Sequence, residues 1–420
     1  MNQPIPWWNK DSSNGVISGK KLLDFWQSMV FSKRESAASE IQSLGDLTKV
    51  LWATFNTSRE ELDRDYMSNE KLLTAYMASF FIPNVERILS IATNPRVKAQ
   101  LKKISQSKSI HILDFGSGPL SATFGLLLAL NEIKESKDNV TFATEKIVIH
   151  AVERSERAVK KAIHLLNNSI SSNIFIEVHR TTSIPRDQQF NIVLAANVFN
   201  EIPEKHRSVT ARSIISALTP DSSNIAIFME PGQREHSKKL TDLRNDLLSQ
   251  STQFKTEVIA PCPHNDACPL SSKFERDDWC WFSHHFERPD VLKEIDKKSS
   301  LDHTNLAYSF FALNIQHALS DQVTQKTPWS VCVSDEMSAG EPSSARRRFD
   351  YFKNNLATIS PSVSSTRLEQ LAETGSKTKL CCRTADFLSG LRMQNQTDGR
   401  LKRGDELDDK SIFEALILEK

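Results

Sequence analysis

The chain predicts an α/β protein: a parallel sheet wound with crossover helices, preceded by a helical region and followed by a smaller part containing strands. Three observations lead there. From Ser109 onward, short apolar runs alternate with longer amphipathic stretches, which is how strands joined by helical crossovers read in sequence. The first of these runs, residues 110–114, leads into the glycine turn Phe115-Gly116-Ser117-Gly118-Pro119. The second, residues 146–153, ends in an acid, Glu153.

Residues 1–105 read as a helical domain by period and caps. Leu22, Phe25, Trp26 and Met29 share one face, and Ile41, Leu44, Leu51 and Phe55 another. Ser58 with Glu61 forms a capping box. The apolar run 72–82 ends at Pro83 and restarts as a kinked helix to Ile91. Trp7 and Trp8 pack back on the domain rather than anchoring it elsewhere. No catalytic constellation is legible here.

Residues 106–325 carry the sheet. A glycine turn at the C-terminal end of a strand lets the backbone approach a ligand, with the next helix N-terminus nearby. A carboxylate closing the second strand can accept both ribose hydroxyls of a nucleoside. Asp114, Gly116, Gly118 and Glu153 are therefore candidate cofactor residues, with Asn197 after the fourth strand. No G-x-G-x-x-G is present, so S-adenosylmethionine suits the pattern better than a dinucleotide. A purely structural turn would read the same way at Gly116 and Gly118. Further strands are expected at 174–178, 190–196, 225–229, 257–259 and 308–314, the last two being the sixth and seventh strands of a class I methyltransferase (Rossmann-like) sheet. No Asp-Pro-Pro-Tyr or Asn-Pro-Pro-Tyr element follows the fourth strand, so no catalytic residue is named.

Between the last two strands lies residues 261–288, PCPHNDACPLSSKFERDDWCWFSHHFER. Three of the six cysteines are here, Cys262, Cys268 and Cys280, spaced C-x5-C-x11-C, and two are followed by proline. Soft metals prefer thiolates, and proline stiffens the turns that aim them. The segment is too polar and too broken to order itself around an apolar core, whereas ligation free energy becomes folding free energy. The spacing is not that of a zinc ribbon; it leaves zinc, an iron-sulfur cluster and plain buried thiols open. Pro261-Cys262 as the nucleophile of a pyrimidine methyltransferase is disfavoured by the two neighbouring cysteines.

The run Ala260-Pro-Cys-Pro-His-Asn-Asp-Ala-Cys-Pro-Leu270, followed by Asp278-Trp-Cys280 and Arg288, resembles the signature of the methyltransferase-like assembly factors of the small mitochondrial ribosomal subunit and their bacterial relatives. Asn197-Val-Phe-Asn200-Glu201 and Glu230-Pro-Gly232 extend the resemblance over roughly residues 70–405. Trp281 stands where the family has His, and Leu120 where its turn continues with Gly. The resemblance implies a [4Fe-4S] cluster on four cysteines, three in this segment and a fourth from a Leu-Cys element downstream. Register against that element favours Cys381, then Cys382, then Cys332. It also implies a protein bound to the small ribosomal subunit and its rRNA in ribosome assembly or translation. Whether S-adenosylmethionine is bound and methyl transfer to rRNA occurs stays open.

Residues 326–420 form a C-terminal domain supplying that fourth cysteine. Residues 377–382 read as a strand; Arg346, Arg347 and Arg348 as a solvated helix face or a phosphate contact; residues 400–405 as a basic turn. Net charge is +1 and the sequence pI about 7.7, so any RNA contact must be local. No apolar run approaches the roughly twenty residues of a membrane span. Six cysteines in 420 residues are too few for a secreted disulfide scaffold, and residues 1–15 lack the pattern of a signal or transit peptide. A monomer in a reducing, bacterial cytoplasm is expected.

Overall fold

The computed structural model describes residues 6–31 apart from 11 and 13, then 38–57, 66–136, 141–221, 223–249, 254–268 and 279–317, with four short C-terminal strands. The chain divides into two compact units, one of Met1–Met229 with His284–Leu306 and one of Glu230–Ser283 with Ala307–Lys420.

The first unit begins with helices α1 (Gly19–Val30), α2 (Ala38–Thr57), α3 (Glu70–Tyr76), α4 (Ile82–Ala92) and α5 (Pro95–Ile104). Ser18, Asn69 and Asn94 cap α1, α3 and α5 by accepting first-turn N–H groups. Leu22, Trp26, Leu44 and Leu51 are buried as their spacing predicts, whereas the Ser58 and Glu61 capping box lies outside the described residues. The expected break at Pro83 does not occur. Instead a five-residue π-helical turn, Met77–Phe81, carries α3 into α4, with Pro83 in the first turn of α4. Proline lacks an N–H and its ring crowds the carbonyl four residues back; a widened turn removes that conflict without ending the helix. Trp26 Nε1 donates to the Met77 carbonyl at 2.7 Å, tying α1 to this turn. Trp7 and Trp8 are both buried. Trp7 Nε1 donates to Glu86 Oε2 at 2.6 Å, and the Trp8 ring packs edge-on against Phe286.

Five parallel strands follow, β1 (Ser109–Phe115), β2 (Lys146–Val152), β3 (Phe175–Thr181), β4 (Ile192–Ala196) and β5 (Ile225–Pro231), in the order β3-β2-β1-β4-β5. Reversal at β1 places the switch point between β1 and β4, where ligands of open α/β sheets bind. The crossovers are α6 (Ser121–Lys134), α7 (Glu156–Ser169) and α8 (Glu204–Ser216). Helix α6 is buried almost all round because α4 covers it. At Gly125 a Cβ would sit 2.5 Å from the Val85 carbonyl, so only glycine permits that crossing. Asn131 on α6 accepts from Ile17 N at 3.1 Å and donates to Ile17 O at 2.6 Å, tying the N-terminal segment down. The unit also contains α10 (Asp290–Ser299). Its buried Asp296 accepts from Arg288 and pairs with His303, each at 2.6 Å. Arg288 of the sequence signature is therefore one side of a buried ion pair.

The second unit holds α9 (Arg234–Ser249), β6 (Phe254–Ala260) and β8 (Asn305–His317), the last two antiparallel with Glu257 opposite Asn314. Five parallel strands and an antiparallel pair are the strand set of a class I methyltransferase-like, Rossmann-like α/β fold. A short strand β7 (Phe282–His285) was not anticipated, since four residues of mixed polarity carry no period. The C-terminal strands β9 (Trp329–Cys332), β10 (Thr378–Cys382), β11 (Leu388–Arg392) and β12 (Glu406–Asp408) form a separate sheet in the order β11-β10-β9-β12. Of these the sequence indicated only β10.

Candidate functional sites

The C-terminal ends of β1, β2 and β4 lie side by side in the sheet and carry the candidate polar residues. Gly116 and Gly118 both adopt positive φ, +66° and +49°, which glycine does at no steric cost. Gly116 N donates to Val152 O at 2.9 Å, and Gly118 N to Glu153 Oε2 at 2.9 Å. The other oxygen of Glu153 accepts from Ser155 N at 2.8 Å. The acid at the end of β2 thus shapes the glycine turn, and its remaining lone pairs stay available for hydroxyl donors. Leu120 also sits at positive φ, +62°, immediately before α6 with its side chain fully buried. A glycine would take that conformation freely; in leucine it costs about 1–2 kcal/mol of backbone strain.

Asp114 is 1% exposed. Burial pushes its carboxyl up to about 7 and the Glu153 charge adds to the rise, against hydrogen bonds from the Thr123 hydroxyl and backbone that pull it down. The Thr123 hydroxyl donates to Oδ2 at 2.6 Å. Asn197 takes φ +57° after β4, a conformation asparagine tolerates better than most residues. Its Nδ2 donates to Asn84 Oδ1 at 3.2 Å, while Asn84 also accepts from Arg87 at 2.7 Å and donates to the Tyr76 hydroxyl at 3.3 Å. Met67 lies over the turn, its Cε 3.3 Å from where a Gly118 Cβ would be. Met67, Tyr76, Asn84 and Arg87 were missed from sequence. Only Asn84 left a signal there, as an amide directly after Pro83 in an apolar run.

The cysteine segment belongs to the second unit. Cys262 and Cys268 are 7% and 5% exposed, and Cys280 is half-buried. The loop between the first two is tied to α9. Arg244, 2% exposed, donates to His264 O at 2.7 Å and to Asp266 O at 2.8 Å. Asn245 Oδ1 accepts from Cys268 N at 3.0 Å, and Asn265 Oδ1 accepts from Val258 N of β6 at 2.9 Å. Ser309 donates to the Cys280 carbonyl at 2.8 Å, and Trp279 to the Gly232 carbonyl at 2.8 Å. Among the described residues no group of three His, Cys, Asp or Glu comes together as a metal-holding set. Cys262 and Cys268 are thus two buried thiols on one pinned loop. Residues 269–278 and the side chains of Cys332, Cys381 and Cys382 lie outside the described residues. By backbone register Cys381 faces Cys332, and Cys382 faces Val331. Arg346 to Arg348 and residues 400–405 also lie outside the described residues.

A family model described as mitochondrial small ribosomal subunit Rsm22 matches residues 91–337. Two curated fission-yeast (Schizosaccharomyces pombe) proteins, Rsm22-cox11 tandem proteins 1 and 2, mitochondrial, are 26% identical over 190 residues, 43% of this chain and 23% of theirs. The match therefore spans about a quarter of those relatives. Solved structures that resemble the chain include magnesium protoporphyrin IX methyltransferase from Synechocystis with bound SAH, at TM-score 0.30, 10% identity, 64% of this chain and 99% of that one. An N-methyltransferase from Bradyrhizobium japonicum follows at TM-score 0.26, 10% identity, 55% of this chain and 97% of that one. The fold class is decided by the strand order above and not by these scores. The expectation of a cytoplasmic protein is corrected by the family and by both yeast relatives, which are mitochondrial. A cysteine count too low for a disulfide scaffold does not distinguish one reducing compartment from another.

Proposed function

This chain belongs to the Rsm22 family of mitochondrial small ribosomal subunit proteins, and from that membership we propose that it associates with the small subunit and its rRNA during assembly or translation. Its methyltransferase-like fold serves as the binding scaffold. Family membership over residues 91–337 is the observation that carries this reading. In the same proposal, Cys262, Cys268, Cys280 and Cys381 hold a [4Fe-4S] cluster, with zinc as the rival metal. The sequence signature and the two buried thiols on the α9-bound loop support it. Such a cluster would supply a structural cross-link between the insertion and the C-terminal strands, since thiolates from separate segments close a single group.

With a net charge of +1, affinity for rRNA must come from a few phosphate contacts, for which Arg346 to Arg348 and Arg400 to Arg403 are the candidates. Co-sedimentation with purified mitochondrial small subunits should therefore show binding that weakens as salt rises, with a shallower salt slope once these basic residues are replaced. Absent or salt-insensitive association would remove the partner.

A second reading, an S-adenosylmethionine-dependent rRNA methyltransferase with a structural metal site, is favoured by the Glu153–Gly118 hydrogen bond. Asp114, Gly116, Gly118, Glu153 and Asn197 would then hold the cofactor. Calorimetry should detect S-adenosylmethionine, and Glu153→Ala should weaken it by about 1–3 kcal/mol, the worth of a charge-assisted hydrogen bond. No heat at millimolar cofactor would leave the scaffold alone.

A further inference from the structure

We infer that residues 66–70 are a strap that shuts the glycine turn with the chain's own methionine, so that a nucleoside entering at Gly118 must first displace Met67. For the identity of that ligand the inference rests on the S-adenosylmethionine reading; the strap itself does not. A glycine leaves a place beside its Cα that a ligand or another part of the chain can take. At Gly118 that place is taken, since Met67 Cε and Sδ lie 3.3 and 3.4 Å from where a Cβ would stand. At Gly116 it is taken by Val198, which follows the end of β4. Val198 belongs to the sheet. Met67 comes from the helical region instead, in a short 3-10 turn, Tyr66–Ser68, just before α3, so its withdrawal leaves the sheet intact.

Two attachments hold the strap. On one side the Tyr66 ring packs edge-on against Phe55 at 5.7 Å and lies tilted against Tyr76 at 6.5 Å. On the other, Glu70 in the first turn of α3 reaches α7, the helix that starts just after Glu153. Arg157 Nη1 lies 2.7 Å from Glu70 Oε2, and Lys161 Nζ 3.8 Å from Oε1. Asn69 caps α3 between the two attachments. The strap therefore links the end of β1, through Gly118, to the first turns of α7 beyond the end of β2. The aromatic attachment is insensitive to salt. The ionic one is not: the Glu70 and Arg157 side chains are 65% and 47% exposed, and an exposed ion pair is weak and is screened by salt. That makes it the fastening that lets go first.

The test uses full-length protein, with S-adenosylhomocysteine as the probe ligand. Peptide mass spectrometry follows how fast dilute peroxide converts Met67 to its sulfoxide, with the buried Met77, 1% exposed, as the internal control. Calorimetry gives the affinity for the probe. Glu70→Gln and Arg157→Gln should each oxidise Met67 about threefold faster at low salt, the scale of an exposed ion pair, and the more distant Lys161→Gln less. Raised salt should speed the unaltered protein and leave the Glu70 variant unchanged. Both measurements follow the fraction of molecules with the strap open, so the probe should bind tighter by the same factor in each latch variant, and tighter still in Met67→Ala. Bound probe should speed Met67 oxidation. Met67 oxidising at one rate in every variant and at every salt concentration overturns the inference. So does Met77 accelerating alongside it, which is general loosening, or Met67→Ala binding the probe no better than the unaltered protein does. If no variant, Met67→Ala included, binds the probe at millimolar concentration while Met67 still responds to the latch, the S-adenosylmethionine reading falls and the strap stands as the closure of a scaffold.

Discussion

Serine in place of Cys262 or Cys268 is expected to leave anaerobically purified protein colourless and without iron, and to lower its melting temperature, whereas Cys332→Ser should do neither. The thiolate is the ligand and serine's hydroxyl is a poor substitute for it. In the proposed four-cysteine site the ligands come from separate stretches of chain, so the binding free energy of the metal would be folding free energy for the segments it joins. Loss of the cluster should thus loosen the C-terminal strands as well as the insertion, which hydrogen exchange across residues 378–392 would read. Stoichiometric zinc with no iron in anaerobic preparations, or unchanged iron in Cys262→Ser, would refute the assignment.

The second large effect belongs to Asp114. Its carboxyl is pushed up from the ordinary aspartate range to about 7, chiefly by burial. Below about pH 4, near the unfolded value, the group is protonated in folded and unfolded chains alike, and it contributes no difference. Between there and pH 7 the folded chain holds a proton that the unfolded chain has released, so the folded state loses stability as pH rises. Above the folded value the full penalty applies. Asparagine in place of the acid keeps an acceptor for Thr123 without the charge. Asp114→Asn should therefore unfold at higher denaturant than the unaltered protein at alkaline pH, by as much as about 4 kcal/mol, and the gain should vanish as pH falls to the unfolded value. A difference between the two proteins that does not change with pH would show that the carboxyl titrates normally.

Much of the architecture was legible because it depends on short-range pattern. The apolar runs at β1, β2, β4 and β5 and the glycine turn after β1 are local signals, and each falls where the pattern places it. Pro83 misled for a local reason. Proline usually ends a helix, but here a π turn with mostly buried residues precedes it and the helix continues. Strand β7 and the C-terminal sheet beyond β10 were hidden because a short strand draws its stability from its neighbours more than from its own period.

For the sites, the chain alone singled out candidates by residue type and place: Gly116, Gly118 and Glu153 at strand ends, and the cysteines of a segment stiffened by proline. Only the tertiary structure decided what those residues touch. Glu153 bonds the Gly118 turn, Asn84 reaches Asn197 across 113 positions, and Arg244 holds carbonyls of the cysteine loop 20 and 22 positions away. Such contacts are set by how helices pack on strands. A buried arginine or asparagine reads in sequence like any surface residue of its helix until the partner that satisfies it is in place.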